Sequence, residues 1–251
     1  MIFSYKHRFI FIKGRKVAGT SIEIALSPHC GPQDIITPIS PVDERTRLAF
    51  GGRPQNYSGQ SGVEARYLAL VQAKDIKAAI KTRVHSDSAF PFFNHMSLAT
   101  VEARLAPPSA EYTLVYNVRN PYAKVASLAN MYISFQGYTG APMEHSLGDI
   151  RSSLTGIFDS GQYLLARNHA LYQSQRPYKA RICLRQEHLA QDYARLLKRL
   201  HVRPKPAPIP RAKQGSSGIG YATEDLFTRA QLNTINAAFK TEFHAHDYAM
   251  I

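Results

Sequence analysis

Lys16, Thr20 and Ser21, in the run KVAGTS at 16–21, have the types and spacing to hold an oxyanion. A short apolar stretch, Phe9 to Ile12, precedes them, and a helix-like pattern follows, so the turn reads as a strand end opening into a helix. Such a turn points free backbone N–H groups outward, and the helix N-terminus adds about half a positive charge. Gly19 lets the backbone approach an anion closely, Thr20 and Ser21 offer hydroxyl donors, and the Lys16 ammonium can fold back over the same group. Gly14 and Gly19 have most of the spacing of an NTPase phosphate loop, but Thr20 stands where that motif places its lysine. The competing reading is a plain structural turn. Lys13 and Arg15 read as ordinary surface charges.

A second constellation is VYNVRNPYAKVAS. YTLVYNV (112–118) is the clearest strand in the chain, aromatic and β-branched. Arg119 falls at its end, and Pro121 suits the first position of a helix because its fixed φ is already helical. Ser127 then lies about 9 Å along that helix, on the face of Asn120 and Ala123. An arginine and a hydroxyl converging at a strand end suit a phosphate. Taken separately, a surface salt bridge and a hydroxyl bonded one turn back would explain them.

The elements that must position these groups alternate. After the first strand and the helical turns from Ser21 to Leu26, residues 28–62 are rich in Pro, Gly, Ser and Asn and read as a long irregular insertion. Helical spacing predicts a helix over 64–80. Ser97 is placed to cap another over LATVEARL, ended by Pro107 and Pro108. Further helices are expected over 163–175, 187–200 and about 224–243, and a strand over 180–184. Strands alternating with helices predict one α/β domain, 1–251, with a mainly parallel central sheet.

Composition narrows the partner. The chain has 251 residues, 44% apolar and 20% charged, and 31 Lys and Arg against 18 Asp and Glu give a net charge of +13. That excess suggests an anionic partner, although a generally basic solvated surface would also produce it. The basic residues are spread along the chain rather than gathered in an aromatic-laced stripe, which argues against nucleic acid. Cys30 and Cys183 are too few for a disulfide framework and lack metal-ligand spacing. Lys6, His7 and Arg8 interrupt the opening apolar residues, and no run is long enough for a membrane span, so the expectation is a soluble, unprocessed, cytoplasmic protein.

Together the two motifs resemble those of sulfotransferases that use 3′-phosphoadenylyl sulfate (PAPS). KVAGTS looks like their 5′-phosphosulfate loop, and VRNPYAKVAS, with Arg119 and Ser127 eight positions apart, looks like their 3′-phosphate motif. NHMSLATVEARL, LRQEHLAQDYARLLKRL and GYATEDLFTRAQLN leading to FHAHDY extend the resemblance over most of the chain, 28–80 being poorly covered. The similarity is greatest to the carbohydrate and membrane-type branch, here in a soluble, bacterial style. It implies a P-loop-like three-layer α/β/α sandwich and in-line transfer of a sulfuryl group from PAPS to a hydroxyl or amine, leaving adenosine 3′,5′-bisphosphate, with no metal required.

Carried over residue by residue, the resemblance makes Lys16 the group that stabilises the leaving phosphate oxygen. Val17, Ala18, Gly19, Thr20 and Ser21 hold the 5′-phosphate, and Arg119 and Ser127 the 3′-phosphate. His95 matches a position often histidine near the acceptor pocket and is the first choice of base, before His85 and Glu102. RAKQGSSGIG (211–220) reads equally as a lid, with Arg211 and Lys213 as phosphate donors, or as a flexible linker. The implied acceptor is a carbohydrate or other small hydroxylated molecule, itself anionic or neutral, with specificity in 28–62 and 135–160. The rivals are a P-loop kinase or NTPase, disfavoured because neither strong strand ends in an Asp suited to Mg²⁺, and a nonenzymatic polyanion binder.

Overall fold

The unbroken apolar run Phe9–Ile12 forms a strand buried along its whole length. The computed structural model describes residues 1–84, 90–136, 145–204, 208–210 and 221–251. Its strands are β1 (Ile2–Ser4), β2 (Phe9–Ile12), β3 (Ile35–Ile36), β4 (Thr113–Val118) and β5 (Ala180–Arg185), in one sheet of order β3-β1-β2-β4-β5. β2 and β4 run parallel, with Phe11 opposite Val115, whereas β1 is antiparallel to both β2 and β3. The fold is α/β, and the sheet is mixed: parallel at its centre, where β2 pairs with β4, and antiparallel on the side of β1. Only Tyr5 to Arg8 separate β1 from β2, far too few residues for a parallel crossover, so the two must form a hairpin.

The helices are α1 (Gly19–Leu26), α2 (Pro41–Ala49), α3 (Ser61–Gln72), α4 (Ile76–Val84), α5 (Leu98–Leu105), α6 (Pro121–Gln136), α7 (Leu147–Asp159), α8 (Leu189–Arg199), α9 (Thr223–Leu226), α10 (Arg229–Ala238) and α11 (Lys240–Ala245). Ser97 caps α5 as predicted, accepting the Thr100 N–H at 3.2 Å. Several expectations are corrected. The segment 28–62, read as irregular, contains β3 and α2, the latter started by Ser40 as N-cap and Pro41 at N1. The helix expected over 64–80 is two, broken where Lys74 takes φ 62. The region 163–175 forms only 3₁₀ turns, Gln162–Ala166 and His169–Tyr172. Asn168, between them, spends its backbone N–H on Glu242 and its side chain on Arg15 instead of on a helix. The last helix is divided by Thr228, which caps α10 in a reciprocal pair with Gln231. Among the described residues, no helix is long and apolar enough to cross a membrane.

Residue contacts divide the chain into two compact units. The first takes in Met1–Gly14, Ala18–Asn117 and 171–210; the second Arg15–Val17, Val118–Ala170 and 221–251. In the first, the alternation of strand side chains sorts the core onto two faces. Ile10, Ile12 and Leu114 pack with Leu98 and Val101 of α5, while Phe9, Phe11 and Val115 pack with Ile22 and Leu26 of α1 and Leu196 and Leu197 of α8. In the second, Tyr122, Val125 and Ala129 of α6 pack with Ile150, Leu154 and Ile157 of α7 and with Ile235, Phe239 and Phe243.

Candidate functional site

Between β2 and α1 the chain turns without help from a left-handed glycine. Lys16 and Ala18 both take positive φ, 62° and 59°, a conformation costing roughly 1–2 kcal/mol per non-glycine residue. Ala18 precedes α1 with no side-chain cap, and the Ser21 N–H bonds the Ala18 carbonyl at 3.1 Å. Val17, Thr20 and Ser21 are buried, Lys16 and Ala18 half-buried and Arg15 exposed. Gly19 has a packing reason: a Cβ there would stand 2.6 Å from Lys13 Cγ.

Lys13 is therefore not the surface charge that its neighbours suggested; it is 4% exposed. It continues the alternation of Phe9 and Phe11 onto the face covered by α1, and its Nζ lies 2.7 Å from Glu23 Oε2 of that helix. Glu23 also takes the Met1 ammonium, and Arg47 Nη2 stands 3.9 Å away. Burial alone would raise the Glu23 pKa, but Lys13, the Met1 ammonium and Arg47 outweigh it and hold the carboxyl at about 2. Glu23 was the readable signal, as a single carboxylate in the otherwise apolar run SIEIAL requires a buried cation.

In the second unit Asn120 starts α6, its Oδ1 accepting the Tyr122 N–H at 2.9 Å. Arg119, just before it, is half-buried, and its Nη1 reaches the Lys16 carbonyl at 3.5 Å. Ser127 lies along the same helix, 4% exposed. Thus Arg119 and the loop residue Lys16, 103 positions apart, do meet.

Residues to which neither motif gave a role hold this part of the loop. The Asn168 carboxamide grips the Arg15 main chain at two points: Oδ1 accepts the Arg15 N–H at 2.7 Å, and Nδ2 donates to the Arg15 carbonyl at 2.9 Å. The Asn168 N–H donates to Glu242 Oε1 at 2.7 Å. Glu242 Oε2 pairs with Lys124 of α6, whose Nζ also donates to the Ala166 carbonyl at 3.1 Å. Burial lowers the Lys124 pKa, Glu242 opposes that, and Arg119 adds to the lowering.

Of the predicted bases, His95 belongs to the first unit, at the start of the segment leading to α5. Its φ is 59°, and Nδ1 is 3.2 Å from the Lys13 carbonyl. A carbonyl only accepts, so Nδ1 carries the proton and Nε2 keeps its lone pair. Burial, with the Lys13 ammonium adding and Glu23 opposing, lowers the ring's pKa to about 3. Glu102 is occupied: its Oε1 accepts from Ser174 at 2.5 Å and Tyr178 at 2.6 Å. His85, Arg211 and Lys213 lie outside the described residues.

Two cavities are found among the described residues. One of about 350 Å³, in the second unit, is bounded by Arg167, His169, Phe239 and Glu242 among others. One of about 210 Å³, in the first, is bounded by His29, Phe50 and Tyr193 among others. Neither is lined by a predicted site residue. Among the described residues no group of three or more His, Cys, Asp or Glu is placed to hold a metal ion. Compared with protein-family models, curated proteins and solved structures, the chain matches none.

Proposed function

We propose that this chain transfers the sulfuryl group of PAPS to an acceptor hydroxyl or amine. The observation that carries the reading is the meeting of Arg119 with the Lys16 main chain, because these residues come from two separate motifs that this chemistry requires together. Lys16 is assigned to the bridging oxygen of the leaving phosphate. Val17 to Ser21 are assigned to the 5′-phosphate, Arg119 and Ser127 to the 3′-phosphate. The finer architecture, a P-loop-like three-layer sandwich, is part of this proposal. The packing of α1 and α8 on one sheet face and α5 on the other supports it.

In the reaction an acceptor oxygen forms a bond to sulfur in line with the breaking S–O bond. The electron pair of that bond goes to the phosphate oxygen, and the acceptor proton passes to a base. Charge grows on the leaving oxygen, where a positioned ammonium has most effect. His95 is the assigned base for a hydroxyl acceptor. Its neutral ring, with Nδ1–H held by Lys13, presents Nε2 as the accepting atom. His95→Ala should lower transfer by about 10²-fold or more. Because its pKa is about 3, the wild-type rate should show no loss from this group between pH 8 and 5. An unchanged rate in the variant would move the role elsewhere.

The acceptor we propose is a carbohydrate or another small hydroxylated molecule, and the excess of basic residues suits an anionic one. The donor is tested first. Adenosine 3′,5′-bisphosphate should raise the melting temperature clearly more than AMP at equal concentration, since only the former has the 3′-phosphate. Equal shifts would remove the assignment of Arg119 and Ser127. A larger shift with ATP and Mg²⁺ would favour the NTPase reading.

A further inference from the structure

We infer that Asn168 is a positioning residue for Lys16, acting through the main chain of Arg15; this rests on the sulfuryl-transfer reading above. The carboxamide of Asn168 pairs with both the N–H and the C=O of Arg15, as a neighbouring strand would. Two contacts on one residue fix the peptide planes on either side of it. The second of those planes is the one that enters Lys16, whose φ of 62° is a conformation the chain does not adopt unaided. Releasing the Arg15 carbonyl therefore frees the backbone from which the Lys16 side chain is aimed.

The grip is itself anchored. Asn168 is 1% exposed and Glu242 6%, and Lys124 is fully buried. Asn168 hangs from Glu242 by its backbone N–H, and Glu242 is paired with Lys124 on α6. Lys124 lies on the helix between Arg119 and Ser127 in sequence. The element that carries the proposed 3′-phosphate group and the loop that carries the proposed leaving-group lysine are thus tied by one buried chain of bonds. Each donor in it has an acceptor: Lys124 to Glu242 and Ala166, the Asn168 N–H to Glu242, and the Asn168 amide to Arg15. Buried polar chains of this kind set geometry, because each member has a single low-energy arrangement.

Positioning predicts a specific kinetic pattern. A lysine that acts on charge developing in the transition state loses rate when misplaced, while ground-state donor affinity changes little. The test compares wild type with Asn168→Ala and Asn168→Asp. Asp keeps the size and the acceptor for the Arg15 N–H but sets a carboxylate oxygen against the Arg15 carbonyl. The probe reaction is release of adenosine 3′,5′-bisphosphate from PAPS with water as acceptor, giving sulfate and two protons, and bisphosphate affinity is measured by calorimetry. In both variants the rate should fall about 30- to 100-fold, with bisphosphate affinity within about threefold. Amide hydrogen exchange over 14–18 should quicken about tenfold or more, because the Arg15 N–H has lost a fixed acceptor or its aligned geometry.

Unchanged exchange in both variants would overturn the grip itself, whatever the protein does. Quickened exchange with the rate within threefold of wild type would overturn the positioning role and leave sulfuryl transfer standing. A parallel loss of rate and bisphosphate affinity would also overturn it, as the sign of a general structural role. Wild type that neither binds the bisphosphate nor releases it from PAPS would overturn the transfer reading, and the functional inference with it. If Asn168→Ala does not fold, Asn168→Asp decides alone.

Discussion

Lys16→Ala should lower release of adenosine 3′,5′-bisphosphate from PAPS by about 10²- to 10³-fold, the usual loss when one donor to a developing oxyanion is removed. Bisphosphate affinity should fall by much less, because the ammonium is assigned to charge that appears on the leaving oxygen only as the S–O bond breaks. Alanine is the informative substitution. It keeps a Cβ at a position with φ 62°, so the backbone bears the same strain as in wild type, whereas glycine would relax the turn as well as remove the charge. Lys16→Arg should rescue little. A planar guanidinium cannot place a compact charge where the ammonium was, though it restores the formal charge. Both variants should melt close to wild type, as Lys16 is only half-buried. Turnover within threefold of wild type in Lys16→Ala would end the leaving-group assignment. Loss of rate together with a large drop in melting temperature would show that the residue serves the fold.

The parts of this site that could be read in advance are those set by local chemistry. β2 follows from an apolar run, the α6 start from Asn120 and Pro121, and the α5 start from Ser97, each decided within a few residues. The meeting of Arg119 and Lys16 was anticipated only through the pairing of two motifs, since nothing between residues 16 and 119 states their distance. What was missed depends on long-range pairing. Lys13 looks solvated beside Gly14 and Arg15 until pleat alternation and Glu23 are considered together. Asn168, Glu242 and Lys124 come from three distant segments, and polar residues of these types are usually exposed, so composition points the wrong way. The same cause explains the mistaken helix over 163–175. Its residues suit a helix locally, but Asn168 has its hydrogen bonds elsewhere. The mixed sheet escaped attention because β1 is only three residues long, too short for any pattern.

The largest expected effect on stability is at Glu23. Glu23→Gln removes the carboxylate facing Lys13 at 2.7 Å and leaves the ammonium, with Arg47 beyond it, buried against a neutral amide. Breaking a buried pair in this way destabilises by about 3–5 kcal/mol. At about 2–4 °C per kcal/mol for a chain of this order of size, melting should fall by roughly 6–20 °C. The pH dependence separates this pair from its neighbours. The Glu23 carboxyl is held at about 2 against an ordinary 4.5. Its contribution is therefore complete above 4.5 and is lost as pH falls through 2. His95 is depressed from 6.5 to about 3, so its contribution is complete above 6.5 and is lost as pH falls towards 3. Wild type should thus lose stability in these two overlapping windows, below a third set by the Met1 ammonium, whose pKa burial lowers from 8.0 to about 6. Of the Glu23 and His95 windows, Glu23→Gln should abolish only the lower one. The His95 window should persist, even lengthen, because Glu23 opposes the lowering of the His95 pKa. Denaturant melts from pH 8 to 2 measure both. A loss under about 1 kcal/mol at pH 7, typical of an exposed pair, would mean that Lys13 is solvated as its sequence neighbours suggest. Loss of the His95 window in Glu23→Gln would mean that His95 owes its neutral ring to something other than burial beside Lys13.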